Sequence, residues 1–503
     1  MGAKTIRETE RKFEADADFA LPDLAGVGLV TESGAPRRSD LDATYFDTAD
    51  LRLAKAGITL RRRTGGGDAG WHAKLPVGPD TRDEVHHELG DELGDKRARV
   101  PTELAALVRA YTLDAPLVEV ARIVTRRDEW TLRAADGATV ALLADDHVTA
   151  VPIEGKASAW RELEVEAADR ATIDAIGAAL GARPSDSTSK LARTLGKRAR
   201  REKRPPLPSD PTAGGVALHY LRERHDDLRA HDTGVRLDAE DSIHQFRVTC
   251  RRLRSALRAF RALFDRETVE SLRAEFRWLG AEMSPARDAE VLEAHLRSEV
   301  AALPDEMVLG GVAARLTAEF ARAGADARGA ALAVLDGDRY KAALEAFGAL
   351  LADPPLTAKA TRPAATELRK VVRKAADRLA GSVAEADAAT TAADRDLALH
   401  QARKDAKKAR YTVDAVEPVL GKEIKAWRKG AKAVQTALGV HQDAVVARDA
   451  LRDLGVRVHL DGDNAFTYGL LWAREDARAH AAEADFVEAW DGLREAKRPR
   501  WLG

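Results

Sequence analysis

The sequence predicts an α+β protein of more than one domain, with a strand-rich first part and an all-helical second part. Three observations carry this prediction. From about residue 4 to 195, charged and apolar residues alternate in short runs, with the period of two that a strand imposes. From about residue 214 onward that alternation stops. Alanine, leucine, arginine and glutamate dominate there, and the prolines (Pro285, Pro304, Pro354, Pro355, Pro363, Pro418) fall where helices can break. Between the parts lies Gly196-Lys-Arg-Ala-Arg-Arg-Glu-Lys-Arg204, followed by Pro205-Pro-Leu-Pro-Ser-Asp-Pro211. This charged, proline-rich stretch can continue neither a helix nor a central strand. The expected division is 1–196, a linker over 197–213, and 214–503.

Composition narrows the class. A chain of 503 residues with 45% apolar content can bury full cores. The net charge is −2, from 80 basic and 82 acidic residues, and this balance argues against a nucleic-acid binder. Cys250 is the only cysteine, so no intramolecular disulfide can form and a reducing compartment is expected. The first residues lack the apolar core of a signal peptide, and no run of about 18 apolar residues predicts a membrane span. The expected location is the cytoplasm.

The strands follow in order. Glu8-Thr-Glu10-Arg-Lys12-Phe13 alternates and puts Glu8, Glu10 and Lys12 on one face. Ala43–Thr48 is the next run, and Ile58–Arg63 pairs Arg61 with Arg63 on a common face. Gly65-Gly-Gly-Asp68 marks a hairpin turn into Trp71-His-Ala-Lys74-Leu75. Arg82, Glu84, His86 and Glu88 alternate again. A helix is expected over Glu103–Tyr111, then strands at Val118–Thr125, Glu129–Ala134, Thr139–Asp145 and Trp160–Glu166. In the last, Glu162, Glu164 and Glu166 share a face. An ordinary antiparallel sheet would point these charges into water. A sheet closed into a barrel would enclose them, at high cost unless they are compensated. A polyanion together with carboxylate-bound divalent cations would satisfy both signs.

The Glu8-x-Glu10-x-Lys12 signature resembles that of the CYTH domain, the triphosphate tunnel metalloenzyme family. The supporting motifs arrive in family order: Arg61 with Arg63, Lys74, Arg82 with Glu84, Arg127, Asp145-Asp146, Glu162 with Glu164, and Ser189-Lys190. The resemblance covers about residues 4–196. It implies an eight-stranded antiparallel β tunnel that binds triphosphate, with hydrolysis or cyclisation depending on the member. By the same resemblance Glu8, Glu10, Asp146, Glu162 and Glu164 are metal-side carboxylates for Mg²⁺ or Mn²⁺. Lys12, Arg61, Arg63, Lys74, Arg82, Arg127 and Lys190 hold phosphate oxygens, and Glu84 belongs to the catalytic set. One departure stands out: Leu142 occupies a position, four residues before Asp146, where family members often carry a carboxylate. Its absence weakens one metal position and leaves phosphate binding intact.

The helical part is organised around His244-Gln-Phe-Arg247 and its continuation. At 100° per residue His244, Arg247, Arg251, Arg254 and Arg258 fall on one side of a helix, opposite Phe246, Cys250, Leu253 and Leu257. The opposed apolar face predicts a buried, structural Cys250. Arg252 belongs to the same basic run. The pattern returns as His400-Gln-Ala-Arg403 with Lys404, Lys407, Lys408 and Arg410, and its apolar register returns as Ala402, Ala406, Ala409 and Val413. Like charges one turn apart repel, so a one-sign stripe that occurs twice calls for an anion. Asp288 lies 44 residues after His244 and Asp443 lies 43 after His400, spacing that predicts two copies of one helical unit, about 214–350 and 360–503.

These motifs resemble the CHAD domain, the conserved-histidine α-helical domain, over roughly residues 210–500. The resemblance implies two pseudo-symmetric four-helix bundles facing each other across a basic cleft that binds inorganic polyphosphate. Asp288 and Asp443 are expected to orient arginines. Arg369, Lys370, Arg373 and Lys374 are either additional cleft wall or solvated surface.

Three functions compete. The first is a metal-dependent triphosphatase joined to a polyphosphate-binding domain, expected in the cytoplasm in association with polyphosphate granules. The second is a protein that binds polyphosphate with slow or no turnover, which Leu142 favours. The third is an adenylate cyclase of the tunnel class, for which no adenine pocket can be read.

Overall fold

The alternating runs of the first part become one closed ring of strands in the computed structural model, which describes residues 4–78, 80–89, 99–200, 206–496 and 499–502. Contacts divide the chain into two units, 1–205 and 206–503. The strands of the first unit are β1 (Lys4–Ala15), β2 (Glu32–Ser33), β3 (Arg37–Asp47), β4 (Thr59–Thr64), β5 (Gly70–Pro76), β6 (Thr81–His87), β7 (Val118–Arg133), β8 (Thr139–Pro152) and β9 (Ser158–Ala167). Antiparallel pairing runs β7-β3-β4-β5-β6-β1-β9-β8 and returns from β8 to β7, closing an eight-stranded barrel. The short β2 lies outside the ring, on the end of β7.

Two expectations change. The runs Val118–Thr125 and Glu129–Ala134 are one strand, because Arg126-Arg-Asp128 stays in the ladder. Arg127 pairs in register with Ser39 and Asp146, and the Arg38 guanidinium grips Asp128 at 2.8 Å. The helix over 103–111 is two short ones, α2 (Thr102–Leu107) and α3 (Arg109–Thr112), divided at Val108 with φ −106°; α1 (Arg52–Ala56) precedes them.

Alternation sets which faces are wet. The outward residues Phe13, Leu143, Leu163 and Val165 are covered by α4 (Arg170–Leu180) through Ile173, Ile176 and Leu180. Inward residues at one end of the ring are apolar: Ala121, Ile123, Val148 and Ala150 pack on Leu191 and Leu195 of α5 (Lys190–Leu195). Residues 196–199 form a 3-10 turn whose Ala199 joins that plug. The basic run therefore begins as folded structure. Residues 201–205, in the middle of the expected linker, lie outside the described residues.

The second unit comprises α6 (Ala213–Arg236), α7 (Ser242–Ala259), α8 (Arg266–Glu282), α9 (Ser284–Ala301), α10 (Val312–Asp336), α11 (Asp338–Ala352), α12 (Ala364–Asp387), α13 (Ala392–Leu460) and α14 (Phe466–Glu495). The eight apolar positions of the two copies are fully buried, from Phe246 to Leu257 on α7 and from Ala402 to Val413 on α13. At 69 residues α13 is one helical segment with Pro418 inside it, and it cannot be straight. A straight helix would part His400 from Gln442 by about 63 Å, yet their side chains hydrogen-bond. Arg410 donates to Gln435 and Arg428 meets Asp414, each pair nearer the same bend. The segment therefore doubles back at about residue 422 into two antiparallel arms, the counterpart of α7 and α8. The copies differ downstream: the first is interrupted at Met283, between α8 and α9, where the second runs on. The second arm and α14 share a core with α9 and α10, built from Leu296, Leu316, Leu451, Tyr468 and their neighbours.

Candidate functional site

In the barrel, β1 points Glu8, Glu10 and Lys12 inward, β4 points Arg61 and Arg63, β5 points Lys74, and β6 points Arg82 and Glu84. Arg127 comes from β7. All of these residues line one cavity of about 320 Å³ together with Lys190. Lys190 enters because Ser189 caps α5, its hydroxyl accepting the Ala192 N–H at 3.0 Å. That cap turns the first helical residue toward the barrel axis.

The carboxylates sort into two groups. Asp146, Glu162 and Glu164 bring ligand oxygens within 4.8 Å of one another; Asp146 and Glu162 are buried behind the cavity wall and Glu164 is on it. Lys190 Nζ reaches all three, at 2.7, 3.0 and 2.5 Å. Arg127 grips Asp146 with two N–H donors and reaches Glu164 at 2.5 Å. These cations hold the Asp146 carboxyl well below the usual carboxylate range despite its burial. The second group is Glu8, Glu10 and Glu84, gathered around Lys74, which lies 2.5, 3.6 and 3.7 Å from them. Lys12 stands between the groups, paired with Glu164 and 3.7 Å from Glu10. Of the five expected metal-side carboxylates, the structure thus brings three into one cluster and places Glu8 and Glu10 in the other. The three-oxygen cluster suits a hard divalent cation such as Mg²⁺ or Mn²⁺.

Burial and the neighbouring Glu84 push the Glu8 carboxyl up to about 7. Desolvation pushes the Lys12 amine down to about 7. Burial beside Arg61 brings Arg63 down to about 9, and the Nε atoms of both arginines are buried without a hydrogen bond. Such crowding of desolvated cations favours an oxyanion.

Three inward residues escaped the sequence reading of the site. His72 links Glu84 to the Asp68 carbonyl, at 2.9 Å each; its signal was sharing the Lys74 face. Asp68, in the expected turn, pairs with Arg63. Glu166 lies across the ladder from both Glu10 and Leu142. It lines the cavity without a hydrogen bond or ion pair among the described residues, and burial raises its pKa.

In the helical unit α7 packs against α13, bringing the two stripes together. Lys407 sits among Arg403, Arg251 and Arg247, and burial, with this company, lowers its amine to about 8. Arg247 donates to the Ser284 hydroxyl at 2.9 Å, and Arg403 to Asp443 at 3.3 Å. The side chain of Asp288 lies outside the described residues. His244 is half-buried on α7, and His400 Nδ1 meets the Gln442 amide oxygen. Arg254 borders Arg273 and Arg277 of α8, which extend the basic surface. Arg258 and Lys408 face Arg378 of α12. Lys404 is exposed, and Arg410 is held by Gln435 at 2.6 Å.

Two expectations divide here. Arg252 turns away from the seam into a side cavity with Tyr220 and Arg224. On α12, Arg369 is tied to Glu423 and Arg373 to the Trp501 carbonyl, whereas Lys370 and Lys374 line a basic cavity with Arg258. Cys250 is fully buried, and desolvation pushes its thiol up to about 12. No helix among the described residues is long and apolar enough to cross a membrane.

Comparison with known proteins agrees with both halves. The CYTH domain model matches residues 7–194 and the CHAD domain model matches residues 219–452. "Uncharacterized protein Rv2226" of Mycobacterium tuberculosis (strain ATCC 25618 / H37Rv) is 36% identical over 98% of this chain and 97% of its own length. Among solved structures, PptA from Streptomyces chartreusis aligns with a TM-score of 0.48 at 22% identity, over 56% of this chain and 99% of that one. The CHAD domain from the plant Ricinus communis aligns at 0.47 with 24% identity, over 60% and 98%. This chain belongs to the family of proteins in which a CYTH domain is followed by a CHAD domain.

Proposed function

We propose that the barrel hydrolyses inorganic triphosphate, or a related terminal triphosphate, with Mg²⁺ or Mn²⁺, and that the helical unit binds inorganic polyphosphate along the α7–α13 seam. The observation that carries the first half is the convergence of Lys12, Arg61, Arg63, Lys74, Arg82, Arg127 and Lys190 on one enclosed volume bordered by clustered carboxylates. Asp146, Glu162 and Glu164 would hold the metal, with Glu8 and Glu10 on the facing group. A bound divalent cation polarises a phosphoryl group and can activate water. Arg61, Arg63 and Arg127 orient the phosphate chain and stabilise charge on the transferring phosphoryl group. Lys74, held by Glu8, adds a cation at the chain's edge.

The seam supports the second half: a stripe of cations, in which burial and neighbouring arginines together lower the Lys407 pKa, takes up a linear polyanion without needing a sequence code. The reading places the protein in the cytoplasm, where it could meet polyphosphate granules. Phosphate release from triphosphate by the full-length protein with Mg²⁺ or Mn²⁺, beside a Glu8→Ala/Glu10→Ala control, tests the enzyme. No metal-dependent release above the control would leave the second reading, a polyphosphate-binding protein without turnover. Leu142 on the cavity wall favours that alternative.

A further inference from the structure

The two side cavities of the helical unit are related by the internal repeat. One is lined by Arg252 of α7, Tyr220 and Arg224 of α6, and Asp414, Glu417 and Arg428 of α13, with a volume of about 390 Å³. The other, about 220 Å³, is lined by Lys408 of α13, Lys374 and Arg378 of α12, and Arg258 and Arg261 from α7 and the turn after it. Counted from the repeated histidines, Arg252 and Lys408 are each eight residues on, Arg258 and Asp414 fourteen, and Arg261 and Glu417 seventeen. In each cavity the first of these positions comes from one copy and the other two from the opposite copy. The geometry is shared, but the charge is not.

In the first cavity two of the three arginines are answered internally, and Arg252 is not, among the described residues. Arg428 lies 3.0 Å from Asp414 and also pairs with Glu417, and Arg224 lies 3.0 Å from Asp227. In the second, arginines replace both acids. Glu367 and Asp405 are occupied by Lys370, Arg362 and Lys408. Arg258, Arg261, Lys359, Lys374 and Arg378 have no acidic partner among the described residues and converge on the same space. Burial and mutual repulsion lower the pKa of both Arg258 and Lys408.

We propose that this second cavity anchors one end of the polyphosphate chain by its terminal phosphate, so that the chain is held end-on there and runs from this cavity along the seam. The proposal rests on the polyphosphate-binding reading above. An internal phosphate carries one charge, whereas a terminal one approaches two near neutral pH. A compact ring of uncompensated cations therefore prefers the end, while the open seam accepts the interior. The neutralised mate cavity offers no equivalent grip, which breaks the two-way symmetry that the repeat would otherwise impose.

The test uses full-length protein and polyphosphate of one length in two forms, free-ended and with both termini blocked as phosphoramidates. Calorimetry should give about tenfold tighter binding of the free-ended chain, a difference of about 1.4 kcal/mol. Lys374→Ala/Arg378→Ala should bring free-ended binding down to the blocked level, and Arg251→Ala/Lys407→Ala should weaken both forms alike. Equal affinity of the parent protein for the two forms overturns the anchor while leaving polyphosphate binding intact. Failure to bind either form would sink the underlying reading and the anchor with it. The comparison is made in an Arg61→Ala/Arg63→Ala background, so that terminal phosphate taken by the barrel does not count, and should the α12 variant fail to fold, Arg261→Ala replaces it.

Discussion

Lys190 is the single residue whose removal most directly tests the electrostatics of the barrel. Its amine is in contact with Asp146, Glu162 and Glu164, and the residue is 9% exposed. In Lys190→Met the three carboxylates lose one buried counter-charge, while Arg127 still holds Asp146 and Glu164. Breaking a buried pair costs about 3–5 kcal/mol, and the surviving arginine puts the cost here at the lower end, about 3 kcal/mol. For a unit of some 200 residues this lowers Tm by about 6–12 °C. A divalent cation bound by the same carboxylates supplies the missing charge, so millimolar Mn²⁺ should recover most of the loss. The assay is calorimetric melting of parent and variant in chelator and in Mn²⁺, following the barrel transition. An unchanged barrel Tm in chelator would show that the lysine is not compensating the cluster. A loss that Mn²⁺ fails to reverse would show that the cluster is not a cation site.

Further outcomes follow from the same geometry. Leu142→Glu places a carboxylate across the ladder from Glu166, and it should tighten Mn²⁺ binding by about tenfold, or 1.4 kcal/mol, in a direct titration; unchanged affinity would mean that position 142 does not reach the ion. Because the Glu8 carboxyl is raised to about 7, it is neutral below that pH and ionised above. Metal affinity should therefore climb between pH 6 and 8, and Glu8→Gln should flatten the climb. The Lys407 amine is lowered from 10.5 to about 8, so its charged form is penalised in the folded state. The penalty is full below about pH 8 and fades as pH rises toward 10.5, so ligand-free helical-unit stability should increase across that window. Lys407→Met should remove the increase and weaken polyphosphate binding together. Finally, Arg251→Ala/Arg252→Ala/Lys407→Ala/Lys408→Ala should bind polyphosphate much more weakly in a calorimetric titration. Unchanged affinity in a folded variant would defeat the seam.

Much of the protein was legible because its patterns are local. A period of two assigned Glu8, Glu10 and Lys12 to one face, and the same rule assigned Arg61 with Arg63 and Glu162 with Glu164. A helical period, seen twice, located the two basic helices and their buried apolar faces. The inward set of the barrel required only alternation and the family signature. What a short window could not supply was the partner of each face. Asp145 and Asp146 are adjacent and chemically alike, yet Arg161 takes Asp145 at 2.8 Å outside the tunnel cluster while Arg127 and Lys190 take Asp146. The grouping of carboxylates into two sets, and the isolation of Glu166, follow from strand registers whose partners lie from 16 residues apart (Asp146 and Glu162) to 156 apart (Glu10 and Glu166). Pro418 marks a point near the bend in α13 where the helix can break, but that the chain doubles back there emerges only from contacts between its arms. Arg252, sequence neighbour of Arg251, leaves the seam because one step around a helix is 100°. Backbone periodicity is written in neighbouring residues, so the sequence alone determined elements and faces; pairing is a long-range choice among similar faces, settled by burial and charge compensation when the chain closes on itself.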